Sequence, residues 1–283
     1  MCSGRTLRVD TGITDTTTPM HLEDLATGDY AEASRYPLNQ ASPSTYYLQP
    51  SGGLSPSTPA ASGGSDPLVF TGSQIPCTSS TEQWLMGLGP LALSYFDLKD
   101  PCTQSVNLSQ VGPGTQSYTT APFTKPTTLA GPIGATLYAT STTSDTEWVV
   151  QLSDVAPDGN ATALTSGILE GNQRALNGSM TWYAPDGQPL LPYHPYTKAA
   201  QTPVVPGQVT RYDVEVFPTF DTLEPGHSLR VTIATSDFPH VLPSATQLPN
   251  LVGGVYALGH SAAEPSSVQL PLISGGLPES SDG

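Results

Sequence analysis

The residue types that could support catalysis are few in this sequence, and their order argues against a serine nucleophile. A Gly-x-Ser-x-Gly elbow needs its glycines because larger side chains would clash in the sharp strand-to-helix turn. The nearest match is Gly259-His260-Ser261-Ala262-Ala263, which lacks the second glycine. In enzymes that use this elbow the acid and the histidine follow the serine, and no histidine follows Ser261. We therefore interpret Ser261 as a surface-loop serine.

The sequence contains five histidines, which are His21, His194, His227, His240 and His260. His227 lies in the turn Pro225-Gly226-His227, directly before a predicted strand. A histidine acts as a general base only when a nucleophile lies within hydrogen-bond reach, and no sequence feature supplies one. No pair of Cys or His residues has the spacing of zinc ligands. We predict loop or packing histidines, no metal site and no cofactor.

The segment Asp154-Val155-Ala156-Pro157-Asp158-Gly159 has some likeness to a calcium-binding loop. The alternation Asp-x-Asp-x-Asp-Gly that supplies the calcium ligands is absent. We interpret the segment as an Asp-Gly turn in which carboxylates accept hydrogen bonds from backbone N–H groups. Asp154 and Asp158 are therefore predicted to be structural.

Three cysteines are present, at Cys2, Cys77 and Cys102. Closing the loop between Cys77 and Cys102 with a disulfide would contribute about 3 kcal/mol in the chain-entropy description. Two separate free thiols are the alternative, because sequence does not place the Cβ atoms.

Exposed aromatic residues are predicted between the central strands and the later ones, at Trp182, Tyr183, Tyr193 and Tyr196. They could line a groove for a sugar or a peptide. Alternatively they cover the rim of the fold or pack against a neighbouring domain.

Residues 131–167 carry the clearest structural pattern. Ile133, Ala135, Leu137 and Ala139 alternate with smaller or more polar residues, which predicts a strand with one buried face. A second run of alternating residues begins at Trp148, and a weaker third run follows the Asp-Gly turn. Asp145 is predicted to cap the tight link between the first two strands.

Further strands are predicted at residues 45–48, 67–71, 209–216, 228–235 and 268–272, with a possible short helix at 81–86. The chain has 27 glycines and 29 prolines, and only 12% of its residues are charged. Many turns around a modest core favour an all-β fold. The spacing fits a jelly-roll β-sandwich with an irregular N-terminal extension.

The net charge of −15 comes from 24 acidic and nine basic residues. Because the basic residues are scattered, nucleic acid and anionic membrane surfaces are not expected as partners. No apolar run approaches the 18 or so residues of a membrane span, and no secretory signal is recognisable at the start of this chain. The sequence leaves localisation undetermined.

Six short motifs, in this order, resemble one known domain. They are Tyr118-Thr119-Thr120-Ala121-Pro122-Phe123, Leu129-Ala130-Gly131-Pro132-Ile133, Ser144-Asp145-Thr146-Glu147-Trp148, Leu152-Ser153-Asp154-Val155-Ala156-Pro157-Asp158-Gly159, Pro225-Gly226-His227-Ser228-Leu229-Arg230 and Ser236-Asp237-Phe238-Pro239. The chain resembles the C-terminal, non-catalytic jelly-roll domain of the CocE/NonD hydrolases, which are similar to cocaine esterase and to Xaa-Pro dipeptidyl peptidases. This jelly roll, also described as galactose-binding-like, would span residues 85–273.

The resemblance implies a domain organisation. Residues 1–49, with His21-Leu22-Glu23-Asp24, Tyr36-Pro37 and Tyr46-Tyr47-Leu48, are similar to the piece that joins the family's catalytic domain to its jelly roll. Residues 50–84 would be a Pro/Gly/Ser-rich connection, and residues 274–283 a disordered tail.

The resemblance also implies a role. Family members hydrolyse esters or Xaa-Pro peptides with a Ser-Asp-His triad in an upstream α/β-hydrolase domain, which has no counterpart in this sequence, so no catalytic residue carries over. The jelly roll packs on that domain and walls part of its cleft, with the loop at Pro122 and Phe123 as the candidate wall. Asp145, Asp154 and Arg230 are interpreted as structural, through turn capping and buried pairing.

Two functions follow as alternatives. The first is an accessory domain of a CocE/NonD-type hydrolase, inactive alone, whose partner is an α/β-hydrolase domain in the same chain or another. The second is a free-standing module that binds carbohydrate or protein. A docking face for the catalytic domain would favour the first, and a concave aromatic groove with convergent polar groups the second.

Overall fold

A computed structural model of the chain describes residues 20–72, 95, 112–237 and 241–276. The strands in these ranges are β1 (Met20–Glu23), β2 (Tyr30–Ala33), β3 (Ser42–Gln49), β4 (Gly53–Ser55), β5 (Ser65–Val69), β6 (Thr115–Thr119), β7 (Thr127–Ser141), β8 (Glu147–Val155), β9 (Ala161–Glu170), β10 (Trp182–Tyr183), β11 (Pro189–Leu191), β12 (Thr210–Leu223), β13 (Ser228–Ala234), β14 (Val255–Gly259) and β15 (Ser267–Ser274). Short 3-10 turns lie at Pro50–Gly52, Gly171–Gln173 and Lys198–Ala200, and a single-turn helix α1 at Leu248–Leu251. The all-β prediction is confirmed.

The main sheet folds into two layers. In the first, the long strand β7 pairs antiparallel with β12 along one edge and with β14 and β15 along the other. The outer strands β5 and β3 pair with β14 and β15. The second layer has the order β6-β13-β8-β9. The short strand β4 pairs with both β3 and β6 and so links the layers.

The core lies between these layers and is built from the inward side chains of strands in both. Trp148 of β8 is fully buried, and its ring centroid lies 5.3 Å from that of Tyr212 and 5.1 Å from that of Tyr256. Tilted aromatic pairs at this spacing add stability beyond the area that they bury. Strands β8, β12 and β14 are thereby packed on one another.

The prediction that the first central strand buries one face is wrong for most of its length, because β7 is buried on both faces from Thr127 to Leu137. The outer face is covered by the hairpin of β10 and β11. A Cβ atom at Gly134 would lie 2.2 Å from the carbonyl oxygen of Pro189, so glycine is what allows the hairpin to cross so closely. Strand β8 is likewise buried on both faces.

The start of the sandwich at residue 85 is also wrong, because β3, β4 and β5 lie before it and belong to the main sheet. The Pro/Gly/Ser-rich stretch contains β4 and β5, each of which buries one leucine, Leu54 and Leu68. Ladder hydrogen bonds come from the backbone, so a stretch with few large side chains can still pair as strands.

The β1–β2 hairpin packs against the edge of this sandwich. The backbone N–H of Leu25 donates to the carbonyl oxygen of Phe220 at 3.0 Å. The buried carboxylate of Asp24 accepts hydrogen bonds from the backbone N–H and the hydroxyl of Thr222. A small second core, which includes Leu38 and Phe220, lies beneath the hairpin.

Several predictions fall on residues outside the described ranges. They are the possible helix at 81–86, the pairing of Cys77 with Cys102, the position of His240 and most of the tail, from residue 277 onward.

Candidate functional site

The predicted cleft-wall loop lies beside the turn between β12 and β13. The backbone N–H of Phe123 donates to the carbonyl oxygen of His227, and that of Gly226 donates to the carbonyl oxygen of Phe123, both at 2.8 Å. Pro122 is exposed, whereas Phe123 is half-buried and packs against the main core. The loop is therefore anchored on both sides, and Pro122 is the member of the pair that is presented to the surface.

His227 and Asp154 form a close pair directly behind this loop. The Nδ1 atom of His227 lies 2.8 Å from both carboxylate oxygens of Asp154, and about a fifth of each side chain is exposed. The pair ties the end of β8 to the β12–β13 turn. Sequence reasoning placed both residues in turns but did not pair them, because they are 73 positions apart.

An Asp–His pair is the orienting half of a catalytic triad, and it needs a nucleophile on the other ring nitrogen. Among the residues that the structure describes, none of the four histidines forms a hydrogen bond with a serine, threonine or cysteine side chain. The pair as it stands can orient an imidazole but has no group to activate.

His260 and Ser261, the nearest match to a nucleophile elbow, point to different partners. The Nδ1 atom of His260 accepts a hydrogen bond from the backbone N–H of Gly64 at 3.3 Å, and its Nε2 atom lies 3.4 Å from Asp66. Asp66 in turn accepts a hydrogen bond from Tyr118 at 2.7 Å. The hydroxyl of Ser261 accepts from the backbone N–H of Glu264 at 3.2 Å, so it closes a local turn.

Asp145 and Asp158 lie in turns and accept backbone hydrogen bonds there. One carboxylate oxygen of Asp145 accepts from the N–H groups of Thr146 and Asn172, both at 2.9 Å, which joins the β7–β8 link to the end of β9. Asp158 accepts from the backbone N–H of Asn160 at 3.0 Å. Neither carboxylate points into a catalytic constellation within the described part of the chain.

Arg230 lies in the middle of the second layer, on β13. It is buried, and its Nε atom donates to the hydroxyl of Thr119 on the neighbouring strand at 3.3 Å. Burial lowers the pKa of the guanidinium below its ordinary value. The structure thus joins Arg230 to β6 through Thr119, and its structural role stays a prediction.

The sequence reasoning missed a buried carboxyl group, Glu147, and a half-buried one, Glu170. Glu147 and Glu170 stand directly opposite one another on β8 and β9. Glu147 is 1% exposed, and a hydrogen bond from the backbone of Asp237 only partly offsets the effect of this burial on its pKa. Burial first, and Glu170 second, raise the pKa of Glu147 to about 8. A usable clue in the sequence was its position immediately before Trp148, at the start of a run of mostly apolar residues.

Another buried carboxyl, Asp221 on β12, lies close enough to Asp154 for the two charges to interact. Burial raises the pKa of Asp221 to about 7, with smaller contributions from the charges of Asp24 and Asp154. The raised pKa values of Glu147 and Asp221 are thus explained by burial and by neighbouring carboxylates.

The four aromatic residues lie in the segment of residues 182–196, here called the aromatic lobe, whose β10–β11 hairpin covers β7. Trp182, Tyr183, Tyr193 and Tyr196 are each 40–57% exposed. The ring of Tyr196 lies 5.6 Å from that of the buried His194, whose ring nitrogens face the carbonyl oxygens of Ala175 and Asp213. This arrangement is compatible with both alternatives raised for these aromatic residues.

In the described ranges, no three His, Cys, Asp or Glu side chains are arranged to hold a metal ion. No helix within those same ranges is long and apolar enough to cross a membrane.

The structure therefore defines a two-layer all-β sandwich in which, among the described residues, Asp145 and Asp158 bind turn backbones and Asp154 pairs with His227. The sequence matches the family described as the X-Pro dipeptidyl-peptidase C-terminal non-catalytic domain over residues 11–269. The chain belongs to this family, the non-catalytic C-terminal domain of CocE/NonD-type hydrolases.

The comparisons with individual proteins agree. A protein of Mycobacterium bovis named "Putative serine esterase" is 30% identical over 268 residues, which cover 93% of this chain and 38% of the relative. An aminopeptidase structure from a marine sediment Thaumarchaeota archaeon has a TM-score of 0.67 at 19% identity, covering 91% of this chain and 40% of its own. A CocE/NonD family hydrolase from Staphylococcus aureus has a TM-score of 0.62 at 14% identity, covering 89% and 41%. This chain thus spans about two fifths of the length of each.

Proposed function

We propose that this chain supports the substrate cleft of an α/β-hydrolase catalytic domain, carried on the same polypeptide or on a separate chain. The observation that carries the proposal is the family match over nearly the whole chain, combined with relatives more than twice as long. The chain then contributes rigidity and surface, and the catalytic domain contributes the nucleophile, base and acid.

Ester hydrolysis is the activity that we propose for the complete enzyme, and Xaa-Pro dipeptide release is the alternative. The support is the name of the Mycobacterium bovis relative, which shares 30% identity with this chain. The bond that is cleaved would be chosen by the catalytic domain, because the sandwich offers no reacting group of its own among the described residues.

In this proposal Pro122 forms part of the cleft wall. Backbone hydrogen bonds on both sides of Phe123 fix the loop to the β12–β13 turn, and the Asp154–His227 pair fixes that turn to β8. A wall element that is held this way keeps its position without needing the substrate to order it.

The test is a chimera in which this chain replaces the matched part of the Mycobacterium bovis relative. We expect the chimera to hydrolyse a nitrophenyl ester, whereas the relative truncated before the matched part loses stability or activity. An Xaa-Pro anilide assayed in parallel separates the two proposed activities. A soluble, folded chimera without turnover of either substrate would contradict the proposal.

Carbohydrate or protein binding remains a second candidate function because one observation favours it, namely the exposed aromatic lobe at residues 182–196. Calorimetric titration of the isolated chain with oligosaccharides, compared with a Trp182→Ala variant, tests it. Binding by the wild-type chain that the variant loses would support this second function. If the wild-type chain does not bind, the accessory-domain function is the only one of the two proposals that remains.

A further inference from the structure

An apolar pocket of about 300 Å³ lies between the β1–β2 hairpin and the bulged region of β12. Its walls are mainly Leu22, Leu25, Tyr36, Leu38, Pro218 and Phe220. This volume is at the lower end of the range for ligand sites and is enough for one large side chain. The pocket is apart from the Pro122 loop and from the Asp154–His227 pair, none of which lines it.

The pocket exists because the strand pairing is interrupted at this point. The register between β12 and β7 shifts between Val216 and Thr219, and such a bulge re-aims the side chains of the bulged strand. Phe217 is turned outward and is 66% exposed. Its freed carbonyl oxygen accepts a hydrogen bond from Thr165 at 2.7 Å, so the bulge is a supported feature.

The opposite wall is fixed as well. Asp24 is buried and binds Thr222, and the backbone of Leu25 binds that of Phe220. Despite this anchoring, the side chain of Leu25 is 64% exposed at the mouth of the pocket. A preformed apolar pocket with exposed apolar residues at its rim matches the centre of a protein interface more than an ordinary monomer surface.

We propose that this pocket is where the sandwich docks on the α/β-hydrolase domain, by receiving a large apolar side chain of that domain. The inference rests on the proposed function and deepens it. The contact would include Leu25, which lines the pocket, and the exposed Phe217, which directly precedes the lining residue Pro218 in the chain.

The choice of occupant follows from the direction of the chain. The family is described as the C-terminal domain of a peptidase, so the catalytic part of such a protein precedes the sandwich. The first described strand, β1, is itself a wall of the pocket. The chain therefore enters the described part of the sandwich at a strand that lines this pocket, and a domain tethered to that end has a raised effective concentration there.

The charges around the pocket specify the partner further. Glu23 lies at the rim, and Asp29 and Glu32 are exposed on the same hairpin, against one exposed arginine, Arg35. The docked apolar side chain is accordingly flanked by basic residues or by N–H donors, because like charges across an interface are unfavourable.

The experiment uses the chimera described above, with a protease site at the junction between the catalytic part and this chain. After cleavage, gel filtration and dilution measure whether the two folded halves stay associated. We compare wild type, Leu25→Asn, Phe217→Asn and the matched control Leu242→Asn, which alters a leucine of the same exposure, 65%, on another part of the molecule.

We expect wild type and Leu242→Asn to remain associated, and the Leu25 and Phe217 variants to bind at least about tenfold more weakly. Circular dichroism of each variant checks that these exposed substitutions leave the fold intact. If all four proteins associate equally, the docking pocket is overturned while the proposed function stands. If the uncleaved wild-type chimera has no hydrolase activity, the proposed function itself has failed.

A second copy of this chain is the competing occupant. Sedimentation of the isolated wild-type chain that shows a dimer, lost in Leu25→Asn but kept in Leu242→Asn, would overturn the proposal. A monomer in all three proteins agrees with a pocket that is reserved for the catalytic domain.

Discussion

Among the single residues, the buried carboxyl group of Glu147 is expected to have a large effect on how stability depends on pH. Glu147 faces Glu170 across two strands, and Asp145 adds a further negative charge nearby. Ionising a buried carboxyl group is costly, and so is placing a like charge beside it. The folded protein therefore retains a proton on Glu147 at pH values where the unfolded chain has lost it.

The stability of the protein should fall as the pH rises through this range. The pKa of Glu147 is about 8 in the folded state and about 4.3 in an unfolded chain, so the folded state binds more protons between these values. The free energy of unfolding then decreases with pH, by at most about 1.4 kcal/mol per pH unit for one proton. Glu147→Gln should flatten this decrease and raise the stability at pH 8, measured by urea unfolding from pH 5 to 8.

The control for this prediction is Glu224→Gln, which alters an exposed carboxyl. It should keep the wild-type pH profile. A wild-type stability that rises steadily from pH 5 to 8, or a Glu147→Gln variant with an unchanged slope, would be incompatible with a buried neutral Glu147.

The Asp154–His227 pair should contribute to stability in its own right. Because both side chains are about one fifth exposed, we expect a coupling energy of only about 0.5–1 kcal/mol. A double-mutant cycle with Asp154→Ala and His227→Ala, followed by urea unfolding at pH 6, measures it. Asp158→Ala combined with His227→Ala should show no coupling, and a coupling of the same size there would mean that the pair is not specific.

Sequence alone could predict the turn residues but not these pairs. Asp158 binds the backbone two residues away, so its role is readable from the local Asp-Gly pattern. Asp154 finds His227 only through the pairing of β8 with β13, and Glu147 becomes buried only when β9 and the layers assemble. Contacts between distant positions depend on register, which a single sequence does not fix.

At the scale of the elements, close approach between strands depends on glycine. A Cβ atom at Gly167 on β9 would lie 1.9 Å from the carbonyl oxygen of Glu215 on β12. No side chain can rotate away from a backbone atom at this distance, so the strands themselves would have to separate. The two layers therefore require a residue without a side chain at this position.

Gly167→Ala should lower the free energy of unfolding by about 2 kcal/mol or more. Gly64→Ala is the matched control, because its Cβ would meet only the ring of His260, at 3.6 Å, and we expect a change below about 1 kcal/mol. Chemical denaturation of both variants checks the pair. Equal effects at the two positions would show that the strand spacing is looser than the structure indicates.

The central strands were predictable because period-2 alternation is strong in long strands. Residues 133–139 and 148–153 lie within β7 and β8 as expected, and the strands predicted near 209–216 and 228–235 are β12 and β13. The short strands β4, β10 and β14 were not predicted, because two to five residues carry too little pattern. Nor did alternation reveal the second buried face of β7, which depends on the distant hairpin of β10 and β11.

At the scale of the whole molecule, the described part of the chain is a two-layer all-β sandwich for which we propose a supporting role. Its carboxylates and histidines are used in turns and strand-to-strand pairs, and its family match and length point to a catalytic part elsewhere. The net charge of −15 disfavours non-specific association between copies, and we propose that the apolar pocket serves one specific partner.

The most direct test of this account is hydrolysis of a nitrophenyl ester by the purified chain alone, with an Xaa-Pro anilide in parallel. The account predicts no turnover above buffer and no labelling by a serine-directed fluorophosphonate probe. Turnover that a Ser261→Ala substitution abolishes would contradict the chain-order argument. Turnover that survives this substitution would reveal a nucleophile in the chain and contradict the assignment of a purely supporting role.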